Sequence, residues 1–211
     1  MEPYFETSQI TIYHGDCRDI LPNIKNVNTI ISDPPYGINI VKTGKIGGNG
    51  NKYKPMIGDD SPFDPAFLLH YPKVCLWGAN HYASRLPDSS RWFLWDKRED
   101  DPSNSFADAE LAWVNLKGPA RIFRYLWNGY RKKGEIGQKR VHPTQKPVAL
   151  MRWCTEMIRP DGLICDPYMG SGSVLRAAAD LGYAAVGIEI EERYCEAAAR
   201  RFEQLELPFD I

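Results

Sequence analysis

Long hydrophobic runs are missing from this sequence of 211 residues. No stretch approaches the roughly 20 consecutive apolar residues that a membrane-spanning helix needs. The first residues, Met1 to Tyr4, contain neither the basic segment nor the apolar segment of a secretory signal peptide. With 43% hydrophobic and 25% charged residues, the composition is ordinary for a soluble enzyme. The sequence therefore predicts a protein of the cytoplasm.

Cysteine and histidine are scarce. The five cysteines are an odd number without any close pair, which argues against a disulfide framework or a cysteine-rich zinc site and favours a reducing compartment. The four histidines have no metal-ligand spacing to one another. We therefore expect no bound metal.

Net charge is small, at −1, so the chain as a whole does not indicate a nucleic-acid partner. The charge is unevenly distributed, because residues 117–146 contain nine basic residues and one acid, Glu135. Aromatic residues are interleaved with the basic ones, a mixture that suits phosphate contacts and base stacking. The alternative is a solvated loop that is packed by its own aromatic residues. The candidate nucleic-acid contacts in residues 117–141 are Arg124, Arg131, Lys132, Lys133, Lys139 and Arg140.

The most informative stretch follows a short apolar run at Ile30 and Ile31, which is typical of a buried strand in a parallel sheet. The next residues are Asp33-Pro34-Pro35-Tyr36. Two prolines cannot continue a strand, so the chain leaves the sheet rigidly at its carboxyl end, where open α/β sheets bind ligands. A carboxylate, the fixed carbonyl of Pro34 and an aromatic ring suit a planar heterocycle with an exocyclic amino group. An ordinary strand that ends in a Pro-Pro turn is the competing interpretation.

A second, glycine-rich unit lies near the carboxyl terminus, where strand, turn, helix and strand follow one another. Gly170 and Gly172 let a ligand approach the backbone ahead of a helix. Glu189 ends the next strand, where dinucleotide folds place an acid on ribose hydroxyls. Leu175 occupies the third glycine position of a dinucleotide fingerprint, and Asp166 suits an ammonium group better than a pyrophosphate. The pattern therefore favours S-adenosylmethionine, and a plain βαβ turn is the alternative.

Together these motifs resemble those of the DNA amino-methyltransferases. Asp33-Pro34-Pro35-Tyr36 is similar to their catalytic motif. Asp166-Pro167-Tyr168-Met169-Gly170-Ser171-Gly172-Ser173 is similar to their cofactor motif, with Tyr168 where phenylalanine is usual. The catalytic motif comes first and His142-Pro143-Thr144-Gln145-Lys146-Pro147 lies between the two, an order similar to the β group of the family.

The resemblance extends over about residues 10–201 and implies an α/β fold. That fold is a doubly wound, mostly parallel seven-stranded sheet, the class I fold of S-adenosylmethionine-dependent methyltransferases, here circularly permuted. Residues 1–211 are expected to form a single methyltransferase domain.

The resemblance also assigns roles to individual residues. Asp16 would contact the cofactor adenine, although a helix N-cap is its alternative role. Thr144 and Gln145 would contact the methionine end of the cofactor, and Glu189 its ribose. The candidate cofactor residues are Asp16, Cys17, Thr144, Gln145, Lys146, Asp166, Pro167, Tyr168, Gly170, Ser171, Gly172, Ser173 and Glu189. The candidate catalytic residues are Asp33, Pro34, Pro35 and Tyr36.

The reaction implied is transfer of a methyl group from S-adenosylmethionine to the N6 amine of adenine in DNA, with the target base flipped out of the duplex. Methylation of cytosine N4 is the nearest alternative, and Asp33 favours adenine because many cytosine enzymes have serine there. A protein-glutamine or RNA methyltransferase, a nicotinamide oxidoreductase and a non-catalytic DNA-binding module are further alternatives. The expected setting is the cytoplasm of a bacterium or a phage-infected cell, in restriction-modification or phage biology, with a homodimer as a candidate assembly.

Two segments outside the motifs, Gly37 to Asp60 and the basic residues 117–141, are also predicted to take part in function. The glycine-rich stretch from Gly37 to Asp60 is too long for a plain connection and predicts a mobile active-site loop. The basic segment is short for a target-recognition insert, so strict sequence specificity is not expected from it alone. Between the two, helices are predicted from Asp64 to Tyr71 and, after a turn at Gly78, through Arg85.

Overall fold

The structure is a computed structural model that describes residues 1–40, 55–99, 107–127, 133 and 144–206. In chain order the strands are β1 Phe5–Glu6, β2 Ile10–His14, β3 Val27–Ser32, β4 Lys73–Trp77, β5 Arg91–Asp96, β6 Ala109–Val114, β7 Arg121–Arg124, β8 Leu163–Asp166 and β9 Ala185–Glu189. The α-helices are α1 Cys17–Ile20, α2 Val148–Ile158, α3 Ser173–Asp180 and α4 Glu192–Glu206. The chain packs as two compact units, a first unit of Met1–Ser32 with Arg140–Ile211 and a second unit of Asp33–Lys139.

The first unit is built on a sheet with the strand order β1-β2-β9-β8-β3. The strands from β2 to β3 are parallel to their neighbours, and β1 is antiparallel to β2. All five residues of β9 are buried, and so are the last four of β3, as the runs of apolar residues in these strands predict. Because four neighbouring strands are parallel, their carboxyl ends lie along one edge of this sheet.

Helices cover the sheet of the first unit. The α2 and α3 helices pack against each other, while α4 packs against β2 and β9. The buried residues of α2 include Leu150, Met151, Cys154 and Ile158, which recur at helical spacing and form one apolar face. Within the described residues, no helix has both the length and the apolar character needed to cross a membrane.

The second unit contains a mixed sheet with the strand order β4-β6-β5-β7. The central strand β6 is antiparallel to both β4 and β5, and β7 is parallel to β5. Trp77, Phe93 and Trp95 are almost completely buried, so aromatic side chains form much of the core of this unit. Because β6 is antiparallel to β4, its first residues lie beyond the carboxyl end of β4.

Two predicted helices of the second unit are shorter and tighter than expected. The stretch from Asp64 to Tyr71 contains only a 3₁₀ turn at Ala66–Leu68, and the stretch after Gly78 contains two 3₁₀ turns, Ala79–His81 and Ala83–Arg85. Tyr82 separates the latter two turns with a φ of −136°, which is outside the helical range. Short segments of this kind are too small to sustain an α-helix unless packing favours it.

The described residues form nine strands rather than the predicted seven. The difference can be attributed to two short strands, β1 with two residues and β7 with four. Each pairs with a single neighbour at the end of the strand order of its unit. Such short edge strands leave little hydrophobic periodicity in the sequence from which they can be predicted.

Candidate active site

Polar residues lie at the carboxyl ends of the four parallel strands of the first unit. Glu189, Asp166 and Ser32 are the last residues of β9, β8 and β3. Asp16 follows β2 after one intervening glycine, and Asp33 is the next residue after Ser32. The principal predicted cofactor residues are therefore brought to one edge of this sheet, and the catalytic motif begins where β3 ends at that edge.

The turn between β8 and α3 has the backbone that its glycines predict. Gly170 and Gly172 have φ values of 52° and 78°, in the left-handed region that side chains disfavour. Gly172 is the residue immediately before α3, so the turn ends at the amino terminus of this helix. The amide of Gly170 donates to the carboxylate of Glu189 at 2.8 Å. The glycine turn and the acid at the end of β9 therefore form one connected structure.

Glu189 is a buried carboxylate, with 8% of its surface exposed. Its Oε2 accepts from the Gly170 amide and its Oε1 accepts from the Glu191 amide, each at 2.8 Å. Burial raises the pKa of this carboxyl above its usual value, and the backbone hydrogen bonds act in the opposite direction. A carboxylate oxygen can accept a second hydrogen bond, so Glu189 can also accept from a ligand hydroxyl.

Asp166 accepts a buried hydrogen bond from the last residue of β3. The hydroxyl of Ser32 donates to Asp166 Oδ1 at 2.6 Å, and the Tyr168 amide donates to the same oxygen at 3.2 Å. Both Ser32 and Asp166 are buried. The strand that leads into Asp33 is thus hydrogen-bonded to the first residue of the cofactor motif. Asp166 was predicted from the cofactor motif, whereas Ser32 was not, because it carries no signal beyond its place before Asp33.

Asp16 has the alternative role that was predicted for it, as the N-cap of α1. Its Oδ1 accepts from the Arg18 amide at 2.8 Å, and the side chain is exposed. The next residue, Cys17, is buried, and its sulfur is hydrogen-bonded to the Tyr168 hydroxyl. Burial raises the pKa of Cys17 to about 11, so the thiol is protonated at neutral pH. Tyr168, the departure from the family motif, thus connects the turn after β8 to the start of α1.

The segment between the motifs also reaches the cofactor turn. The backbone carbonyl of Lys146 accepts from the Ser173 hydroxyl at 2.8 Å, and both residues are buried. Thr144 and Gln145 are half-buried and immediately precede Lys146 in the chain. The carbonyl of Ser171, in the same turn, accepts from Arg201 of α4 at 2.8 Å. The bond between Ser173 and Lys146 thus joins the segment between the motifs to the cofactor motif within the first unit.

The catalytic motif is at the start of the second unit, and two of its residues are hydrogen-bonded to each other. The hydroxyl of Tyr36 donates to the Asp33 carboxylate. Burial, followed by the negative charge of Asp33, raises the pKa of Tyr36 well above its usual value, so the phenol keeps its proton and can donate. Asp33 is half-buried and Pro34 is buried. The carboxylate is therefore held by a neighbour three residues along the chain.

The ring of Tyr36 lies among residues that follow β4. It stacks on the exposed imidazole of His81, with the ring centroids 5.0 Å apart and the ring planes at 15°. Gly78 lies against the same ring so closely that a Cβ at this position would overlap it. His81 has no metal-ligand spacing to another histidine, and nothing in the sequence predicts its contact with Tyr36. That pairing depends on contacts between distant parts of the chain, which the local sequence does not encode.

The comparison with protein families adds the evidence that decides the family. Residues 80–200 match the family described as DNA methylase, which has N6 and N4 amino-methyltransferases as its members. The match covers more than half of the 211 residues. The chain belongs to this DNA methylase family. Its cofactor is accordingly S-adenosylmethionine, as predicted, and it acts on DNA.

Individual relatives of this DNA methylase agree with the family match. The Type II methyltransferase M.ScaI of Streptomyces caespitosus is 27% identical over 262 residues, covering 96% of this chain and 84% of that protein. The structure of the PvuII DNA methyltransferase, described as cytosine-N4-specific, covers all of this chain and 90% of its own, with 16% identity and a TM-score of 0.65. The structure of the M1.HpyAVI complex with S-adenosylmethionine covers 91% of this chain and 99% of its own, with 24% identity and a TM-score of 0.52. These likenesses confirm the predicted class I methyltransferase fold.

The predicted cofactor residues of the methylase include two buried carboxylates. Asp166 at the end of β8 suits an ammonium group, and Glu189 at the end of β9 suits the hydroxyls of a ribose. Between them, the backbone of Gly170 to Gly172 makes a turn without side chains at the two left-handed positions. These two acceptors and the glycine turn fit S-adenosylmethionine. The described residues include no group of three or more acids, cysteines or histidines arranged for a metal ion.

The predicted DNA-contacting segment is only partly described in the methylase structure. Arg124 is exposed and lies 3.7 Å from Asp96, and exposed Lys133 pairs with Glu99 at 3.0 Å. The Lys133 ammonium also lies over the ring of Tyr125. Both predicted basic residues thus have an acidic neighbour within their own unit. The remaining candidates, Arg131, Lys132, Lys139 and Arg140, lie outside the described residues, as do residues 41–54 of the predicted active-site loop.

Proposed function

We propose that this protein transfers a methyl group from S-adenosylmethionine to the N6 amine of an adenine base flipped out of DNA. The observation that supports this most directly is the Asp33 carboxylate. It follows the last residue of β3, accepts a hydrogen bond from Tyr36 and precedes the carbonyl of Pro34. An ionised acceptor beside a rigid carbonyl suits an amine that has two hydrogens to donate.

The exocyclic amine of adenine is a poor nucleophile, because its lone pair is delocalised into the ring. In the proposed mechanism, Asp33 accepts one N–H and the carbonyl of Pro34 accepts the other. These two hydrogen bonds favour a pyramidal nitrogen whose lone pair is directed away from the ring plane. Most of the catalytic gain then comes from orientation and from dipoles that are already in place. No covalent intermediate on the protein is required.

The cofactor supplies an electrophilic methyl group on a sulfonium sulfur. We infer that Asp166 accepts from its ammonium group and Glu189 from its ribose hydroxyls. By the family resemblance, Asp16 contacts the adenine ring of the cofactor, and Thr144 and Gln145 contact its methionine end. Tyr36 stacks on the flipped target base, as an aromatic residue does in other enzymes that take a base out of the duplex.

The assignment to adenine rests on Asp33 itself, because cytosine-N4 enzymes of this family often have serine at that position. Cytosine N4 presents the same amine chemistry and remains the second candidate. We expect purified protein, DNA without prior methylation and methyl-labelled cofactor to give N6-methyladenine as the labelled nucleoside, detected by mass spectrometry after digestion. Label in N4-methylcytosine would overturn the choice of base, and label only in RNA or protein would overturn the choice of substrate.

The raised pKa of Glu189 gives a pH-dependent prediction. If the ionised carboxylate accepts from the ribose, affinity for S-adenosylmethionine should fall as the pH is lowered through the raised pKa, which lies above the usual 4.5. Without cofactor, the stability of the folded state changes in the opposite direction. Because the pKa of Glu189 is higher in the folded state than in the unfolded state, the free energy of unfolding falls as the pH rises from the unfolded pKa to the folded pKa. Calorimetric titration between about pH 5 and pH 8 measures the binding effect.

The matched variants for this titration are Glu189→Gln and Glu192→Gln. The first should bind the cofactor more weakly and without the pH dependence, and the second, at an exposed position at the start of α4, should behave like the original protein. The same pH dependence in Glu189→Gln would mean that another group titrates.

Four further features of this methyltransferase stay predictions. They are the mobile loop from Gly37 to Asp60, DNA contacts in residues 117–141, a homodimer, and a cytoplasmic location in a bacterial or phage-infected cell. The restriction-modification setting is supported at the level of the relatives, which are Type II methyltransferases.

A further inference from the structure

Asp59 is a buried acid to which neither motif assigns a role. Only 3% of its surface is exposed, and its carboxylate accepts three backbone hydrogen bonds from the residues that follow Tyr36. Oδ1 accepts from the amides of Gly37 and Ile38, at 3.0 and 3.1 Å, and Oδ2 accepts from the amide of Ile40 at 2.7 Å. One side chain thus binds most of the backbone donors in the segment directly after the catalytic motif.

The two stretches of chain are also in contact around this carboxylate. The carbonyl of Asp59 accepts from the Asn39 amide at 2.8 Å. Gly37 has a φ of 77°, and a Cβ there would overlap the backbone carbonyl of Ser61. A Cβ at Gly58 would lie 3.4 Å from the ring of Pro35. Residues 58–61 therefore pack along the catalytic motif and the four residues after it.

A carboxylate is well suited to this position because of its acceptor capacity. Backbone amides that are withdrawn from water need an acceptor, and unpaired ones are costly. The two oxygens of an aspartate have about four lone-pair sites and no donor. An asparagine would keep one oxygen and place an NH₂ group against at least one of the three amides. Hydrogen bonds from amides to an ionised acceptor are also stronger than those to a neutral one.

We propose that Asp59 is a positioning residue that holds the segment Asp33–Tyr36 in its catalytic geometry by fixing the backbone that leaves it. Its effect on methylation rests on the function proposed above. Misplacement of a catalytic group by about 1 Å can lower a rate by about 100-fold, so a clamp at the exit of the motif acts on turnover. Asp59 is distant from the motif in sequence, and no local pattern marks it.

The direct test of the clamp measures hydrogen exchange at individual amides in the full-length protein, in the original chain and in Asp59→Asn. We expect the variant to lose protection at Gly37, Ile38 and Ile40, while the amides of β2 and β9 keep theirs. Asp60→Asn is the matched control, because this exposed acid is the next residue along the chain. Unchanged protection at the three amides in Asp59→Asn would overturn the clamp, and this measurement does not depend on the activity.

The functional test separates turnover from binding. For Asp59→Asn we expect kcat to fall by about 10- to 100-fold, with KM for DNA and Kd for S-adenosylmethionine within about threefold of the original. Asp59→Glu keeps the charge and should recover part of kcat. A parallel loss of kcat, DNA binding and cofactor binding would indicate general disruption and would overturn positioning.

If Asp59→Asn does not fold, Asp59→Glu decides the question. In Asp59→Glu the value of kcat should follow the exchange of the three amides, reduced where protection is lost and retained where protection is kept. Lost protection with the original kcat, or the original protection with a reduced kcat, would overturn the proposal. An original protein without methyltransferase activity on any DNA would instead refute the proposed function, whereas the exchange result would still decide the clamp.

Discussion

Replacing Asp33 by alanine is expected to lower the methylation rate roughly 100- to 1,000-fold, the loss typical of removing a group that stabilises the transition state. The carboxylate is the predicted acceptor for one of the two amine hydrogens, and the carbonyl of Pro34 alone cannot orient the nitrogen. The change also removes the acceptor for the Tyr36 hydroxyl. Initial rates with methyl-labelled cofactor and unmethylated DNA measure the effect.

Cofactor binding should be almost unchanged in Asp33→Ala. The predicted cofactor residues Asp16, Asp166 and Glu189 all belong to the first unit, whereas Asp33 begins the second. Calorimetric titration with S-adenosylmethionine therefore separates a catalytic defect from a folding defect. Asp88→Ala, which removes an exposed acid of the second unit, is the control and should retain normal rates. Retained turnover in Asp33→Ala would remove this carboxylate from the mechanism.

Much of the candidate cofactor site could be predicted because its features depend on residues that are close together in the sequence. A short apolar strand followed by a polar residue and a turn occurs at Asp33, at Asp166 and at Glu189, and parallel strands bring such ends to one edge. The glycines of the turn before α3 are required by its left-handed backbone, so their spacing is visible in the sequence as well. These are properties of single elements and their immediate neighbours.

The contacts that the sequence did not reveal join distant positions. Asp59 binds amides about 20 residues earlier in the chain, and Ser32 binds Asp166, which lies 134 residues away. His81 stacks on Tyr36 although neither residue carries a pattern that pairs them. No local pattern in the sequence pairs any of these residues with its distant partner.

Asp16 shows how one residue can satisfy two sequence interpretations. A helix N-cap and a ligand contact both require an oxygen-bearing side chain just after a strand, so the sequence alone left the two open. The hydrogen bond from the Arg18 amide establishes the cap. That bond occupies a lone pair on one oxygen only, and a carboxylate has about four. The contact with the cofactor adenine therefore remains compatible with the cap and stays a proposal.

Replacing Asp166 by alanine is expected to weaken binding of S-adenosylmethionine by at least about 30-fold, because removing one partner of a buried, hydrogen-bonded charge pair costs roughly 2–5 kcal/mol. The variant loses the carboxylate proposed to accept from the ammonium group. It also leaves the Ser32 hydroxyl and the Tyr168 amide without their present acceptor. Calorimetric titration at neutral pH measures the loss, and thermal unfolding without cofactor shows whether the fold persists.

Ser32→Ala separates the charge of Asp166 from its orientation. This variant keeps the carboxylate and removes only the 2.6 Å hydrogen bond that holds Oδ1, so the loss of affinity should be smaller than in Asp166→Ala. Ser32→Thr keeps a hydroxyl and should recover most of the affinity. An acid that lies outside the cofactor site would not affect cofactor affinity. Unchanged affinity in a folded Asp166→Ala would therefore contradict the role assigned to this acid. It would place the ammonium group on other atoms of the turn that precedes α3.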